Sequence, residues 1–152
     1  GVTVNGGFKP RVRSMSMNIF LGGWGGTDGH WGSVFSDYKI YLKQSELAHP
    51  GPSLVFVFLD MREDSLDMGN FATRMAGWPN NAENYGFYDL PGSYHHLSCG
   101  FSFADGHSEL KRWRDQRTMP PVIPGSFVND IFSSPNNPDV AWLQERSTRP
   151  LR

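Results

Sequence analysis

A run of carboxylates between residues 60 and 67 is the first group that could carry chemistry. Asp60, Asp64 and Asp67 crowd a short segment that ends in a glycine, and Glu63 lies between them. Clustered carboxylate oxygens on a flexible loop are the ligands that a hard cation such as calcium prefers. The acids do not alternate as in an EF-hand loop, and a solvated loop whose acids cap backbone groups is the alternative interpretation. We predict a calcium site at Asp60, Asp64 and Asp67, and no other cofactor.

The histidines form the second group. His95 and His96 are adjacent, and His107 directly follows Asp105-Gly106. Two imidazoles and a carboxylate could hold a transition metal, so His95, Asp105 and His107 are the candidate ligands of a metal-dependent hydrolase. The chain has no H-E-x-x-H motif or comparable ligand spacing, and hydrogen bonding within the fold is the alternative role.

A nucleophilic cysteine is the third possibility. Cys99 is the only cysteine, which excludes an internal disulfide framework and a cysteine-based zinc site. It lies close to His95 and His96 but opens an apolar strand, where a free cysteine is usually inert. The chain also lacks a G-x-S-x-G motif, a phosphate-binding loop and a dinucleotide fingerprint. The sequence therefore favours a protein that is not an enzyme.

Aromatic residues in segments rich in glycine and proline form the last group. Exposed rings on rigid loops can stack on sugars or contact a partner protein, whereas buried rings close the ends of a small core. The candidate contacts with a glycan or a partner are Trp24, Trp31, Trp78 and Tyr85.

Short strands and long loops must position these residues. Residues 54–59 are six consecutive apolar residues, which predicts a central strand that is buried on both faces. Residues 14–21 alternate, with Met15, Met17 and Ile19 on one side, and predict a second strand.

Two local signals are stronger. Asp105-Gly106 between alternating residues predicts a two-residue type I′ hairpin turn, and in that register Phe101, Phe103 and Leu110 share a core face. The sequence Asn137-Pro-Asp predicts a helix that ends near residue 146, because Asn caps a helix and Pro suits its first position.

Length and composition set the fold class. The chain has 152 residues, enough for one domain, with 17 Gly, 11 Pro and 14% aromatic residues. We predict an α+β fold that is mostly β: a small antiparallel sheet with long Gly/Pro-rich loops and a short C-terminal helix. We expect one globular domain over residues 1–152, with residues 1–13 and 148–152 loosely ordered.

The charge is balanced overall but uneven along the chain. Lys and Arg total 14 and Asp and Glu total 15, which argues against a nucleic-acid partner. Residues 1–43 and 111–152 each carry a net charge of +3, and residues 44–110 carry −7. Basic flanks that lie over an acidic middle are one interpretation, and a cation site or a charged subunit interface is the other. The longest apolar run is far below the ~20 residues that span a bilayer, so we expect no membrane span.

The segment from Tyr94 to Trp113 resembles a known family. His95, followed by nine residues and then Asp105-Gly106, resembles the H-X9-DG motif of prepilin-like proteins from planctomycetes and verrucomicrobia. Residues 14–18, 52–60, 64–69, 89–91 and 137–144 are similar to the verrucomicrobial branch, in the same order. The resemblance covers residues 14 to 146.

Members of that family resemble type IV pilins and type II secretion pseudopilins, in which a processed leader and a long apolar helix precede a small antiparallel sheet. The resemblance implies a structural role for His95, Asp105 and Gly106, and pseudopilins often hold a loop with calcium. It implies a location in the cell envelope or outside the cell, with pilin-like subunits or envelope proteins as partners. We expect the chain to be the globular head, either part of a longer precursor or separately encoded.

Three functions follow from these observations. The first is a non-enzymatic structural head of a pilin-like or pseudopilin subunit. The second is a glycan-binding or adhesive module that uses the loop aromatics. The third is the metal-dependent hydrolase built on the histidines.

Overall fold

A five-stranded sheet with one helix forms the centre of the molecule. The computed structural model describes residues 2–4, 7–9, 14–22, 35, 37–66, 69–123, 125–128 and 130–151. The strands are β1 (Val2–Val4), β2 (Gly7–Lys9), β3 (Met15–Asn18), β4 (Phe56–Asp60), β5 (Asn70–Phe71), β6 (Gly86–Phe87), β7 (Ser98–Phe103), β8 (Ser108–Arg112) and β9 (Phe132–Ser133). The helix α1 spans Pro138–Glu145, and short 3-10 turns lie at Gln44–Ala48, Pro52–Leu54, Ala82–Asn84 and Gln116–Thr118.

The sheet has the strand order β5-β3-β4-β7-β8. Its neighbours pair antiparallel except β3 and β5, which are parallel. Two further ribbons pair β1 with β2 and β6 with β9. The predicted α+β class, mostly β with a short C-terminal helix, is confirmed. Within the described residues, no helix is both long and apolar enough to cross a membrane.

β4 is the central strand, but only one of its faces is sealed. Phe56 and Leu59 are fully buried in the main core, whereas the side chain of Phe58 is 43% exposed; Val55, just before the strand, is buried in a separate cluster with Tyr41 and Leu47. The register with β7 shifts between Phe56 and Phe58, so Phe56 and Leu59 reach the same core despite the two residues between them. The expectation of burial on both faces is therefore wrong, because the other face of the sheet is open at Phe58.

β3 presents its polar side chains to the core. Ser16 and Asn18 are buried, and Met15 is 42% exposed, which reverses the orientation that the alternation suggests. The Asn18 amide donates to the carbonyl oxygens of Phe56 and Ser147, both at 3.0 Å. A buried amide is tolerated when such partners satisfy it, so Asn18 joins β3 to β4 and to the C-terminal segment.

The hairpin between β7 and β8 has a three-residue loop, residues 104–106, in place of the predicted two-residue turn. Only Gly106 has positive φ there (+93°), whereas a type I′ turn requires positive φ at both of its central residues. Phe101 consequently lies opposite Glu109, and Leu110 lies opposite Gly100.

This change of one residue moves a side chain to the other face of the sheet. Phe101 and Phe103 are buried in the core as predicted, but Leu110 is 66% exposed on the opposite face. The prediction that all three share a core face is wrong for Leu110.

Helix α1 begins as the sequence predicts. The side chain of Asn137 accepts hydrogen bonds from the amides of Asp139 and Val140, and Pro138 occupies the first helical position. The helix packs Val140 and Leu143 into the main core, together with rings from β4, β5, β6 and β7.

The C-terminal residues, for which the sequence predicts loose order, make several contacts. Thr148 is buried, and Pro150 forms an isolated bridge with Tyr38. The amide of Leu151 donates to the Asp37 carbonyl at 2.9 Å. This end of the chain therefore lies against residues 37–39.

Candidate functional site

A polar cluster forms around Asp60, at the end of β4. Its Oδ2 accepts a hydrogen bond from the Gly100 amide at 3.0 Å and lies 3.2 Å from Nε2 of His95. Its carbonyl oxygen accepts from the Gly92 amide at 2.7 Å and from Sγ of Cys99 at 3.2 Å. We call these five residues the Asp60 cluster. It joins β4, β7 and the loop before β7.

Two glycines are required for this close approach. A Cβ atom on Gly100 would lie 2.9 Å from Oδ2 of Asp60, and one on Gly92 would lie 3.0 Å from the Asp60 carbonyl oxygen. A side chain at Gly100 would therefore displace the Asp60 carboxylate, and one at Gly92 would press on the Asp60 backbone by a few tenths of an ångström. The cluster therefore has the geometry of a structural junction.

Cys99 is unsuited to nucleophilic chemistry. Burial of the thiol, together with the nearby charge of Asp60, raises the pKa of Cys99 well above its usual value. The thiolate is the nucleophilic form of cysteine, and it is suppressed here at neutral pH.

The histidine motif is divided between the two ends of β7. His95 pairs with Asp60 before the strand, whereas Nδ1 of His107 lies 2.6 Å from Oδ1 of Asp105 after it. Six strand residues separate the pairs, a length of about 20 Å. His95, Asp105 and His107 therefore do not form one site, and the described residues contain no cluster of three or more His, Cys, Asp or Glu placed to hold a metal.

Asp105 instead stabilises the hairpin loop. It accepts hydrogen bonds from both the side chain and the amide of His107, and these bonds lower the pKa of the Asp105 carboxyl. The exposed pair sits beside Gly106, whose positive φ closes the loop. His107 also stacks on Phe103, with ring centroids 4.3 Å apart.

The acidic segment contains a buried ion pair. Nε of Arg62 donates to Oδ1 of Asp64 at 2.9 Å, and Nη2 donates to Oδ2 at 2.6 Å. Burial alone would raise the pKa of Asp64, but the bonds from Arg62 and from the Ile123 amide outweigh it and hold the pKa below its usual range. The remaining Arg62 donors reach the carbonyls of Pro120 and Pro121. The pair thus ties residues 62–64 to residues 120–123.

The residues at hand fit calcium poorly. Both oxygens of Asp64 already accept bonds from Arg62, so a cation would have to displace a buried guanidinium. Oδ2 of Asp60 is shared by Gly100 and His95, and the third predicted ligand, Asp67, lies outside the described residues. Calcium binding stays a prediction, and the Arg62–Asp64 pair weighs against it.

The aromatic candidates that can be assessed belong to the core. Tyr85 is only 6% exposed, so its ring cannot stack on a sugar as proposed. Trp78 is half-buried against two core clusters, with the Arg149 guanidinium 5.5 Å from its ring centroid. Trp24 and Trp31 lie outside the described residues.

Sequence reasoning missed a buried carboxylate with four donors around it, Asp139. Asp139 is fully buried and its Oδ2 accepts bonds from the amides of Arg114 (2.8 Å) and Asp115 (2.9 Å) and from Oγ1 of Thr118 (3.1 Å). Oδ1 lies 3.4 Å from Nζ of Lys111. Its place in the first turn of α1 was readable from the sequence, but its partners lie more than twenty residues away.

Among the described residues, the face of the sheet opposite α1 carries exposed apolar side chains. Met17 of β3 lies opposite Phe58, and Leu110 lies opposite Gly100, so these side chains share that face. Met15, Phe58 and Leu110 are its large exposed apolar residues. A shallow groove of about 360 Å³ runs beside Met15, Ser102 and Leu110. We call this surface the outer sheet face.

The geometry thus separates buried polar clusters, which join loops to strands, from an exposed apolar face that is free to contact another molecule. The residues of the H-X9-DG motif are exposed, but their hydrogen bonds are local to the loops before and after β7. Comparison of the chain with protein-family models gives no match, and comparisons with curated proteins and with solved structures give none either.

Proposed function

We propose that this chain is the non-enzymatic globular head of a pilin-like subunit, which acts in a surface filament or a secretion-associated assembly. Its partners are other pilin-like subunits or envelope proteins, at the cell envelope or outside the cell. The outer sheet face is the observation that carries the proposal. The ordered resemblance of residues 14–146 to prepilin-like proteins supports it from the sequence.

The outer sheet face suits an apolar helix. Phe58 on β4 and Leu110 on β8 stand on either side of β7, whose small residues Gly100 and Ser102 lie between them. The Asp60 carboxylate covers Gly100, so the apolar part of the trough lies beside Ser102. Two strand spacings amount to about 10 Å, which is close to the diameter of an α-helix. A helix laid along this trough would cover the exposed rings and methyl groups, and each large side chain would contribute ~1.5–3 kcal/mol on full burial.

Charge substitutions on this face test the proposal. Phe58→Asp and Met15→Asp place a carboxylate where the helix would lie, and both residues are exposed enough for the head to fold. Ile131→Asp is the matched control, because Ile131 is an exposed apolar residue just before β9, outside the five-stranded sheet. The complete encoded protein is produced in its native cells, and its amount in sheared surface material and in the envelope fraction is measured.

We expect the two face variants to be lost from the surface and envelope assemblies while Ile131→Asp is retained. Circular dichroism and melting of the purified variants check that the heads are folded. Normal assembly of Phe58→Asp and Met15→Asp would contradict the proposal, as would an equal loss of the Ile131→Asp control.

A further inference from the structure

The edge strand β8 has unpaired backbone groups on one side. The Phe103 amide donates to the His107 carbonyl, and the Trp113 amide donates to the Leu97 carbonyl, both at 2.9 Å. Because hydrogen-bonded pairs alternate in an antiparallel ladder, the odd-numbered residues of β8 bond to β7. The residues whose amides point away from β7 are Ser108, Leu110 and Arg112. In the described part of the chain, β8 ends the sheet and no strand pairs with that side.

A groove follows this free edge. Residues 109–114 form one wall, Pro138 and Trp142 of α1 form the other, and the volume between them is about 570 Å³. The groove therefore lies between an edge strand and a helix. Extended peptides bind to other proteins by adding a strand to an edge, with main-chain bonds to the edge and side chains in flanking pockets. We call this feature the edge groove.

The edge groove is basic. Lys111, Arg112 and Arg114 line it, against the single acid Glu109. Lys111 is held in place by Asp139 at 3.4 Å and by the Arg112 carbonyl at 3.0 Å, which leaves it ordered beside the Trp142 ring. Arg112 and Arg114 are exposed.

We propose that the edge groove binds an extended acidic peptide of a partner protein by strand addition to β8. The amides of Leu110 and Arg112 would donate to the peptide backbone. Acidic side chains at alternate positions would lie beside Arg112 and Arg114, and the apolar side chains between them would lie against Pro138 and Trp142. This inference goes beyond the head function, because it uses the edge of the sheet and not its outer face.

A second copy of β8 is the simplest competitor. Antiparallel pairing of two β8 strands about Leu110 would place Lys111 of each copy opposite Glu109 of the other, whereas a register that places Lys111 opposite Lys111 would be destabilising. An acidic strand would instead meet the exposed Arg112 and Arg114 with opposite charge. This complementarity favours the acidic peptide as the occupant of the edge groove.

A labelled peptide of about eight residues that alternates valine and glutamate is a suitable probe, since it exceeds the length of a typical strand. Its binding is measured by fluorescence anisotropy at low salt. Two methylated versions of the peptide are compared: one carries N-methyl groups on the valine amides, and the other carries them on the glutamate amides. We expect one register to lose binding, because its methyl groups replace the protons that face β8, and the other to keep it.

Leu110→Pro tests the edge on the protein side. The Leu110 amide points away from β7, so proline removes a donor without breaking the β7–β8 ladder, which edge strands tolerate. Leu110→Ala measures the loss of the side chain alone. We expect Leu110→Pro to bind the peptide at least about tenfold more weakly than Leu110→Ala, which corresponds to ~1.4 kcal/mol.

Charge reversal completes the test. We expect Arg112→Glu to weaken binding of the acidic peptide about tenfold, and Lys43→Glu, an exposed position outside the groove, to leave it unchanged. An acidic polysaccharide, polygalacturonate, is measured in parallel.

Several results would overturn strand addition. These are equal binding of both methylated peptides, unchanged binding by Leu110→Pro, no binding of the acidic peptide at all, or binding of polygalacturonate alone. If Leu110→Pro fails to fold, the methylated peptides still test strand addition, because they are measured with the unsubstituted protein. The peptide experiment does not depend on the assembly experiment with Phe58→Asp, so strand addition can fail while the proposed head function stands, and the reverse.

Discussion

Residues of the same type take opposite roles in this molecule, depending on burial. Asp64 and Asp139 are buried and hold together segments that are distant in the sequence, whereas Asp105 lies in an exposed turn. A buried carboxylate loses its hydration, and only several donors together offset that loss. The carboxylate of Asp64 has three such donors, and that of Asp139 has four.

Asp139→Ala should be among the most destabilising substitutions. It would leave the buried amides of Arg114 and Asp115 and the ammonium of Lys111 without their acceptor. We expect a loss of ~3–5 kcal/mol in the free energy of unfolding, measured with urea. Glu145→Ala, an exposed acid of the same helix, should change it by less than about 0.5 kcal/mol. Similar losses in the two variants would contradict this role of Asp139.

Calcium should have no effect on the melting temperature. A site at Asp60, Asp64 and Asp67 with free calcium at 100 times Kd would add ~2.7 kcal/mol of stability. The Arg62 guanidinium already neutralises Asp64, so we expect coincident melting curves in excess calcium and in chelator. A higher melting temperature in calcium that disappears in Asp67→Asn would restore the calcium prediction.

For single residues, features that depend on neighbours in the sequence could be predicted, whereas features that depend on distant partners could not. The cap at Asn137 depends on the two residues that follow it, so the sequence Asn-Pro-Asp was sufficient to predict it. Asn18 faces the core because its partners are the carbonyls of Phe56 and Ser147, which lie 38 and 129 residues away. No periodicity within β3 contains that information.

The central strand illustrates the same limit for elements. Six consecutive apolar residues predict a central strand at residues 54–59, and the observed central strand is Phe56–Asp60, which begins two residues later because Pro52–Leu54 form a 3-10 turn. The bulge that opens Phe58 to solvent was not predictable, since it is created by pairing with β7. Likewise, Asp105-Gly106 predicted the hairpin correctly. The observed loop also includes Ala104, so Leu110 pairs with Gly100 and not with Phe101.

Phe56 and Phe58 form a matched pair on β4. Phe56 is fully buried among rings of β5 and β7, with the Phe101 centroid at 5.5 Å and the Phe71 centroid at 6.2 Å. We expect Phe56→Ala to cost ~3–5 kcal/mol in urea unfolding. Phe58→Ala should cost under about 1 kcal/mol in the isolated head, because the ring is exposed. Equal costs would show that the outer sheet face is covered in solution.

Gly106 closes the β7–β8 hairpin with a left-handed backbone. A Cβ atom there meets nothing within 4 Å, so the constraint is conformational and not steric crowding. We expect Gly106→Val to cost ~1–3 kcal/mol, because a β-branched residue is strained at φ of +93°. Asn tolerates positive φ, so Gly106→Asn should lose clearly less free energy of unfolding than Gly106→Val. Thermal unfolding of both variants measures the difference. Equal losses would mean that something other than φ selects glycine.

At the scale of the whole molecule, the two buried ion pairs each lie within one charged segment of the chain. Arg62 and Asp64 both belong to the acidic middle and bond to backbone groups of residues 120–123, whereas Lys111 and Asp139 both belong to the basic C-terminal flank and join β8 to α1. The acidic middle therefore meets the C-terminal flank here through carbonyl and amide groups. Other basic side chains of that flank line the edge groove.

Acid should destabilise the fold largely through Asp64. Its folded pKa lies below the value of an unfolded aspartate, about 3.9, so folding favours the charged form. Its contribution is complete above the unfolded pKa and is lost as the pH falls through that value toward the folded pKa. Urea unfolding between about pH 7 and about pH 3 at constant ionic strength should show Asp64→Asn to be less stable than the parent at neutral pH. That deficit should shrink steadily below about pH 4, whereas Asp115→Asn, whose Arg117 partner is half-exposed and screened, should change much less. A deficit of Asp64→Asn that stays constant across this range would show that the Arg62–Asp64 pair does not control the acid response.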